Sequence, residues 1–132
     1  MKKNLIHPAG HAAPRGAYSP AVKVALPGGG VLLFVTGQLA RAPDGSVVAP
    51  FDATAQTEYI FNLIGEILAA AEMDFADLVR VQTYLTAMAD FPQFSAVRDR
   101  HLGSSRPAST LLEVKGLAHP GCCVEVEVTA MK

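Results

Sequence analysis

The sequence contains no tryptophan and only two cysteines, and these two, Cys122 and Cys123, are adjacent. Neighbouring side chains on a strand point to opposite faces, so the two thiols are poorly placed to pair with each other or to share a metal. There is also no CxxC motif and no cysteine spacing typical of a disulfide framework. We therefore expect neither structural disulfides nor a cysteine-bound metal, and we expect a reducing, cytoplasmic location.

The sequence also lacks a basic stripe and a long apolar run. Eleven Lys and Arg residues oppose twelve Asp and Glu residues, which gives a net charge of −1. Nucleic-acid binding usually needs an electropositive surface that neutralises phosphates, so this balance argues against it. No apolar run is long enough to span a membrane, and the opening MKKNLIHPAGHAAP lacks the apolar core of a signal peptide. We expect neither a membrane nor a nucleic acid as a partner.

What the sequence has in excess is apolar residues. Half of its 132 residues are hydrophobic and 17% are charged, in a length typical of one domain, residues 1–132. A small domain has much surface to cover, so the excess favours apolar surface buried between subunits. A well-filled core with many alanines is the alternative.

Hydrophobic periodicity predicts two helices and five strands. An apolar stripe follows Asp52, a candidate N-cap, and a second helix over residues 90–102 could be capped by Asp90. Strands are predicted at residues 17–25, 31–36, 78–86, 109–114 and 122–131, after a loop-like arm at residues 1–16. The order β-β-α-β-α-β-β predicts an α+β fold, a mixed sheet with both helices on one face.

Alternation assigns the faces of two strands. In the strand over residues 78–86, one face is predicted to carry Val79, Val81, Thr83 and Leu85. In the last strand, the valines take one face, and the other carries Cys123, Glu125, Glu127 and Thr129. Two carboxylates on one face are either a solvated surface or an acid/base pair in a cleft.

Other catalytic or metal-binding motifs find little support. His7 and His11 have helical spacing, but the segment AAPRG follows and no further ligand is clustered with them. His101 and His119 read as helix-end and turn residues. There is no GxSxG elbow and no phosphate-binding loop, and the adjacent cysteines read as inert strand thiols rather than nucleophiles. The residue patterns alone leave the function open.

Five segments in order resemble one family: GAYSPAV, VTGQLA, DLVRVQTYLTAMADF, RPAST and VEVEVTA. The chain resembles the RidA/YjgF family of imine and enamine deaminases, long labelled L-PSP endoribonucleases. The resemblance implies a chorismate-mutase-like fold and a homotrimer with small-molecule clefts between subunits. It implies no cofactor and no metal.

The resemblance also assigns site residues. It makes Glu125, the first glutamate of VEVEV, the residue that positions the attacking water, and it makes Tyr18 of GAY a cleft tyrosine with a catalytic role. It places Thr36, the small hydroxyl residue before the Gly-Gln pair, and Gly37 next to the substrate.

The chain departs from the family at the arginine that grips the substrate carboxylate. The family pattern Arg-Pro-Ala-Arg reads here as RPAS, so Ser109 stands where that arginine would be, and Arg106 lies three residues upstream. Leu111 replaces a frequent cysteine, and Ser95 matches an asparagine of some members. A serine supplies at most one neutral donor, whereas a guanidinium forms two charge-assisted hydrogen bonds with a carboxylate.

Three functions follow from this resemblance. The first is cofactor-free hydrolysis of an imine, an enamine or a related compound, with specificity altered at Ser109 towards a more neutral ligand. The second is a trimer that binds a small ligand in its clefts without chemistry. The third is an L-PSP-type endoribonuclease, which ranks last because the sequence has no basic stripe and no aromatic platform.

Overall fold

Six strands form one mixed sheet in the computed structural model, which describes residues 2–132. The strands are β1 (Lys3–Ile6), β2 (Ala21–Ala25), β3 (Val31–Gln38), β4 (Leu78–Leu85), β5 (Ala108–Glu113) and β6 (Val124–Met131). The helices are α1 (Ala53–Ala70) and α2 (Phe91–Leu102), with short 3-10 helices at Phe75–Asp77 and Met88–Asp90. Met1, the first residue of the predicted domain, lies outside the described residues.

The sheet has the order β1-β2-β3-β6-β4-β5. Strands β4 and β5 are parallel, and all other neighbours are antiparallel. Both helices pack on one face and form the core with alternate residues of the strands. This architecture confirms the predicted α+β fold. It adds β1, an edge strand in the segment that we predicted as an arm, because four residues paired with β2 are too few to produce a pattern.

Helix α1 begins where the sequence indicated. The Asp52 carboxylate accepts a hydrogen bond of 3.0 Å from the backbone N–H of Ala55, as an N-cap does. Asp90 holds the N-cap position of α2, as predicted, but its side chain makes no capping hydrogen bond.

Two predicted face assignments are corrected by local backbone irregularity. A register shift between Leu78 and Arg80 turns Leu78 into the core and leaves Val79 40% exposed. Strand β6 starts only at Val124, so Cys123 does not share the face of Glu125. It is buried in the core instead, where its backbone N–H donates a 2.9 Å hydrogen bond to Oε1 of Gln56.

The opposite face of the sheet carries no helix and exposes large apolar side chains. Leu5 pairs with Val22, and Val22 pairs with Phe34, which is 49% exposed. Met131 and Leu112 are also exposed on this side. None of the helices within residues 2–132 has the length and apolar character that a membrane span requires.

Candidate active-site cleft

A cleft with a volume of about 290 Å³ opens next to the end of β3 and the start of β6. It contains four of the predicted site residues: Tyr18, Thr36, Gly37 and Glu125. Three of the cleft's loop residues carry side chains that can be charged, and these are His11, Arg41 and His119. The sequence motifs at positions 18, 36–37 and 125, far apart along the chain, therefore meet at one surface depression.

The end of β3 ties the segment that carries Tyr18 to the sheet. The Thr36 hydroxyl donates a 2.7 Å hydrogen bond to the carbonyl of Ser19, and the Thr36 backbone N–H donates one of 2.9 Å to the carbonyl of Pro20. Nε2 of Gln38 donates to the carbonyl of Thr36 at 2.8 Å. These bonds fix the chain around Tyr18 beside Gly37, and they leave the Thr36 hydroxyl able to accept a further hydrogen bond.

An irregularity between β3 and β6 brings Glu125 to the backbone of Gly37. The register of the two strands shifts between Val35, which pairs with Val128, and Gln38, which pairs with Val126, the residue after Glu125. A Cβ added to Gly37 would lie 2.9 Å from Cδ of Glu125 and would overlap its carboxylate. Glycine is therefore required for the carboxylate to lie where it does.

The two glutamates of β6 have different surroundings. Glu127 accepts a hydrogen bond from the Tyr84 hydroxyl, and this bond raises the pKa of Tyr84. Glu125 accepts no hydrogen bond from any group within residues 2–132, and burial raises the pKa of its carboxyl, helped by the charge of Glu127. A second recess, lined by Tyr84 and Glu127, reaches the same carboxylate. Glu125 thus has the free lone pairs and the raised basicity that a general base needs.

No motif indicated that the cleft would contain His11, Arg41 and His119. Nε2 of His11 lies 2.5 Å from a carboxylate oxygen of Glu66. Burial lowers the pKa of His119, and the positive charges of Arg41 and Arg15 lower it further, so its imidazole is neutral at neutral pH. These residues come from irregular loops, where no periodicity links them to the strands.

The remaining predicted site residues lie outside this cleft within one chain. Ser109 and Arg106 line a depression between α2 and β5, and Leu111 lines another beside Met88. The Ser95 hydroxyl accepts a 3.0 Å hydrogen bond from Arg98. A single chain therefore brings together half of the predicted site.

Comparison with known proteins identifies the family. The family model described as Endoribonuclease L-PSP matches residues 9–132. The chain belongs to this family, which is the RidA/YjgF family. It is 30% identical over 130 residues to the 3-aminoacrylate deaminase RutC of Acinetobacter baylyi, with 98% of each chain covered. It is 30% identical to the 2-iminobutanoate/2-iminopropanoate deaminase of Capra hircus, covering 100% of this chain and 92% of that one.

A solved structure of the family supports the same assignment. The RidA crystal structure from an Antarctic Psychrobacter species matches with a TM-score of 0.85 and 30% identity, over 96% of this chain and 98% of that one. The predicted chorismate-mutase-like fold is thereby confirmed.

Proposed function

We propose that this protein hydrolyses a small imine or enamine to a carbonyl compound and ammonia, without a cofactor. One observation carries the proposal: the half-buried carboxylate of Glu125 accepts no hydrogen bond from any group within residues 2–132, and it shares a cleft with Tyr18 and Thr36. The relatives named as deaminases of 3-aminoacrylate and of 2-iminobutanoate support the same reaction class.

The chemistry follows from the position of Glu125. Its carboxylate takes a proton from a water molecule as the water oxygen bonds to the imine carbon, and the C=N double bond becomes a single bond. The protonated Glu125 returns this proton to the nitrogen, which gives a neutral carbinolamine. The Glu125 carboxylate then carries the hydroxyl proton of the carbinolamine to the amino nitrogen, so that the C=O bond forms as the C–N bond breaks and ammonia leaves. An enamine enters the same sequence after its carbon gains a proton and its nitrogen loses one to give the imine. Tyr18 and Thr36 orient the substrate by hydrogen bonds.

The protein works as a homotrimer in this proposal, in the cytoplasm. The helix-free sheet face supports assembly, since it exposes Leu5, Phe34, Leu112 and Met131. Each cleft then lies at a subunit boundary, where a neighbouring copy supplies Ser95, Arg106, Ser109 and Leu111. Such a composite site is consistent with the separation of the two groups of residues within one chain.

Ammonia release from freshly generated 2-iminopropanoate tests the reaction. We expect catalysis by the wild type and a loss of about 100-fold in Glu125→Gln, the size of a general-base contribution. Glu127→Gln is the matched control, because its carboxylate is bonded to Tyr84, and it should retain most of the rate. Full activity of Glu125→Gln would overturn the role of Glu125. Ligand-induced thermal stabilisation without turnover would favour a non-catalytic binding trimer.

Substrate specificity is altered at Ser109 in the same proposal. The Ser109→Arg variant should raise kcat/KM for a 2-imino acid relative to an uncharged imine, because a guanidinium adds charge-assisted hydrogen bonds to a carboxylate. An unchanged ratio of the two kcat/KM values would contradict a specificity role for position 109.

A further inference from the structure

We propose that Arg41 is the carboxylate anchor of this cleft and compensates for the arginine that is absent at Ser109. The inference rests on the proposed imine hydrolysis and specifies its substrate class: a small 2-imino acid whose carboxylate binds at Arg41 while its C=N carbon faces Glu125. The substrate then still carries a carboxylate, and what is altered is the orientation in which that anionic substrate binds.

Arg41 is a partly buried cation that lines the same cleft as Glu125. Within residues 2–132, its guanidinium takes part in none of the ion pairs. Its one hydrogen bond, from Nε to the carbonyl of Gly45, is long at 3.5 Å. The Nη donors are therefore free of protein acceptors within the described chain. Partly buried guanidinium donors without acceptors are well suited to a bidentate carboxylate.

The loop around Arg41 holds its backbone in place. Arg41 forms an isolated antiparallel bridge with Val47, and the N–H of Ala42 donates a 2.8 Å hydrogen bond to the carbonyl of Ser46. Gly45 has a φ of +89°, and a Cβ there would lie 3.3 Å from Nη2 of Arg41. The side chain lies against this tight turn, so less conformational freedom is lost when a ligand binds than for an arginine on a mobile arm.

The positive charge of Arg41 acts on His119 in the cleft and on Cys122 nearby. Together with burial, its charge lowers the pKa of His119, and it opposes the burial that raises the pKa of the Cys122 thiol. The residues that line the cleft thus include a guanidinium, the imidazole of His119 and the Glu125 carboxylate. This arrangement suits a ligand with one anionic group and one electrophilic carbon.

Binding of a stable product analogue tests the anchor without turnover. Calorimetry would compare 2-oxobutanoate with its uncharged amide, 2-oxobutanamide, in the wild type and in Arg41→Gln. We expect Arg41→Gln to weaken binding of the carboxylate about tenfold or more and to leave binding of the amide unchanged, because only the anion uses a charge-assisted pair. Arg41→Lys retains the charge without the planar guanidinium, so its affinity for 2-oxobutanoate should lie between those of the wild type and Arg41→Gln. It replaces Arg41→Gln in the test if that variant does not fold.

Arg15→Gln is the matched control and should bind 2-oxobutanoate as the wild type does, whereas Arg106→Gln tests the rival anchor. Wild-type affinity for 2-oxobutanoate in Arg41→Gln would overturn the proposal, and so would a loss that occurs only in Arg106→Gln. Hydrolysis of an uncharged imine separates this inference from the proposed function. If no imine is hydrolysed while Arg41-dependent binding persists, the reaction fails and the anchor stands; if Arg41→Gln hydrolyses charged and uncharged imines like the wild type, the anchor fails and the reaction stands.

Discussion

The carboxylate of Glu125 lies so close to the backbone of Gly37 that no side chain fits between them. Gly37 belongs to the stretch where the pairing of β3 with β6 is irregular, and the Thr36 hydrogen bonds hold the other side of that stretch. Thr36 and Gly37 therefore define the position of the Glu125 carboxylate. This contact links the local geometry of the sheet to the chemistry proposed for the cleft.

Replacing Gly37 by alanine should displace the Glu125 carboxylate and leave the fold intact, because the group that must yield is a flexible side chain. A displacement of about 1 Å can cost about 100-fold in rate, and we expect a loss of that order in imine hydrolysis. The control is Gly30→Ala, where the nearest contact of a new Cβ, with Leu26, is an ordinary 3.6 Å. Equal rates of imine hydrolysis in both variants would show that the contact between Gly37 and Glu125 is unimportant.

The Glu125→Gln variant should be more stable than the wild type at neutral pH. The pKa of Glu125 is raised in the folded protein, so the folded state binds more protons than the unfolded state and stability falls as pH rises through that pKa. An uncharged glutamine avoids this penalty. Thermal unfolding should show a higher Tm for the variant at pH 7, and the gap should close at a pH below the pKa of an unfolded glutamate. A lower Tm for the variant at pH 7 would contradict the burial account.

Gln56 should be among the most sensitive positions for stability. Its buried side chain donates a 2.8 Å hydrogen bond to the carbonyl of Gly121 and accepts one from the backbone of Cys123 just before β6. Alanine would leave the Cys123 N–H buried and unpaired, at a cost of about 1–3 kcal/mol, while the carbonyl of Gly121 keeps its 2.8 Å hydrogen bond from the Phe51 N–H. Urea unfolding of Gln56→Ala should show that loss, while Gln93→Ala, on an exposed site of α2, should change little.

Replacing Thr83, unlike replacing Gln56, should not lower the stability of the protein. The Thr83 hydroxyl is buried and has no hydrogen-bond partner within residues 2–132, so Thr83→Val removes an unpaired polar group at nearly constant volume. We expect stability to be unchanged or to rise by about 1 kcal/mol. Thr57→Val is the control. It should be less stable than the wild type, because the Thr57 hydroxyl donates a 2.6 Å hydrogen bond to the carbonyl of Ala53. A clear loss of stability in Thr83→Val would reveal a partner for that hydroxyl.

The sequence predicted the elements with strong periodicity and missed those that depend on pairing. The stripe of α1 and the alternation of β6 reflect burial against one core, so both were readable. The short edge strand β1 and the bulge at Val79 depend on neighbouring strands and leave no periodic signal. Cys123 was assigned to the wrong face because alternation was extended beyond the start of β6.

The candidate site was predictable where it follows motifs on strands or just before them. Tyr18, Thr36 and Glu125 were found through ordered motifs, and the fold brings them into one cleft. Arg41 and His119 were not assigned to the site, because isolated loop residues reach the cleft only through the three-dimensional course of the chain. Contacts between copies of the chain likewise leave no periodic pattern in the sequence, so the place of Ser109 relative to a neighbouring cleft was not readable from it.

The pH dependence of kcat/KM for imine hydrolysis tests the central claim most directly, with the spontaneous rate subtracted. If Glu125 acts as the base, kcat/KM rises with pH, and the midpoint lies above the usual range of a glutamate because burial and Glu127 raise its pKa. Glu127→Gln should move this midpoint to lower pH, and Glu125→Gln should abolish the limb together with most of the rate. A Glu125→Gln variant with the wild-type profile and rate would contradict the account.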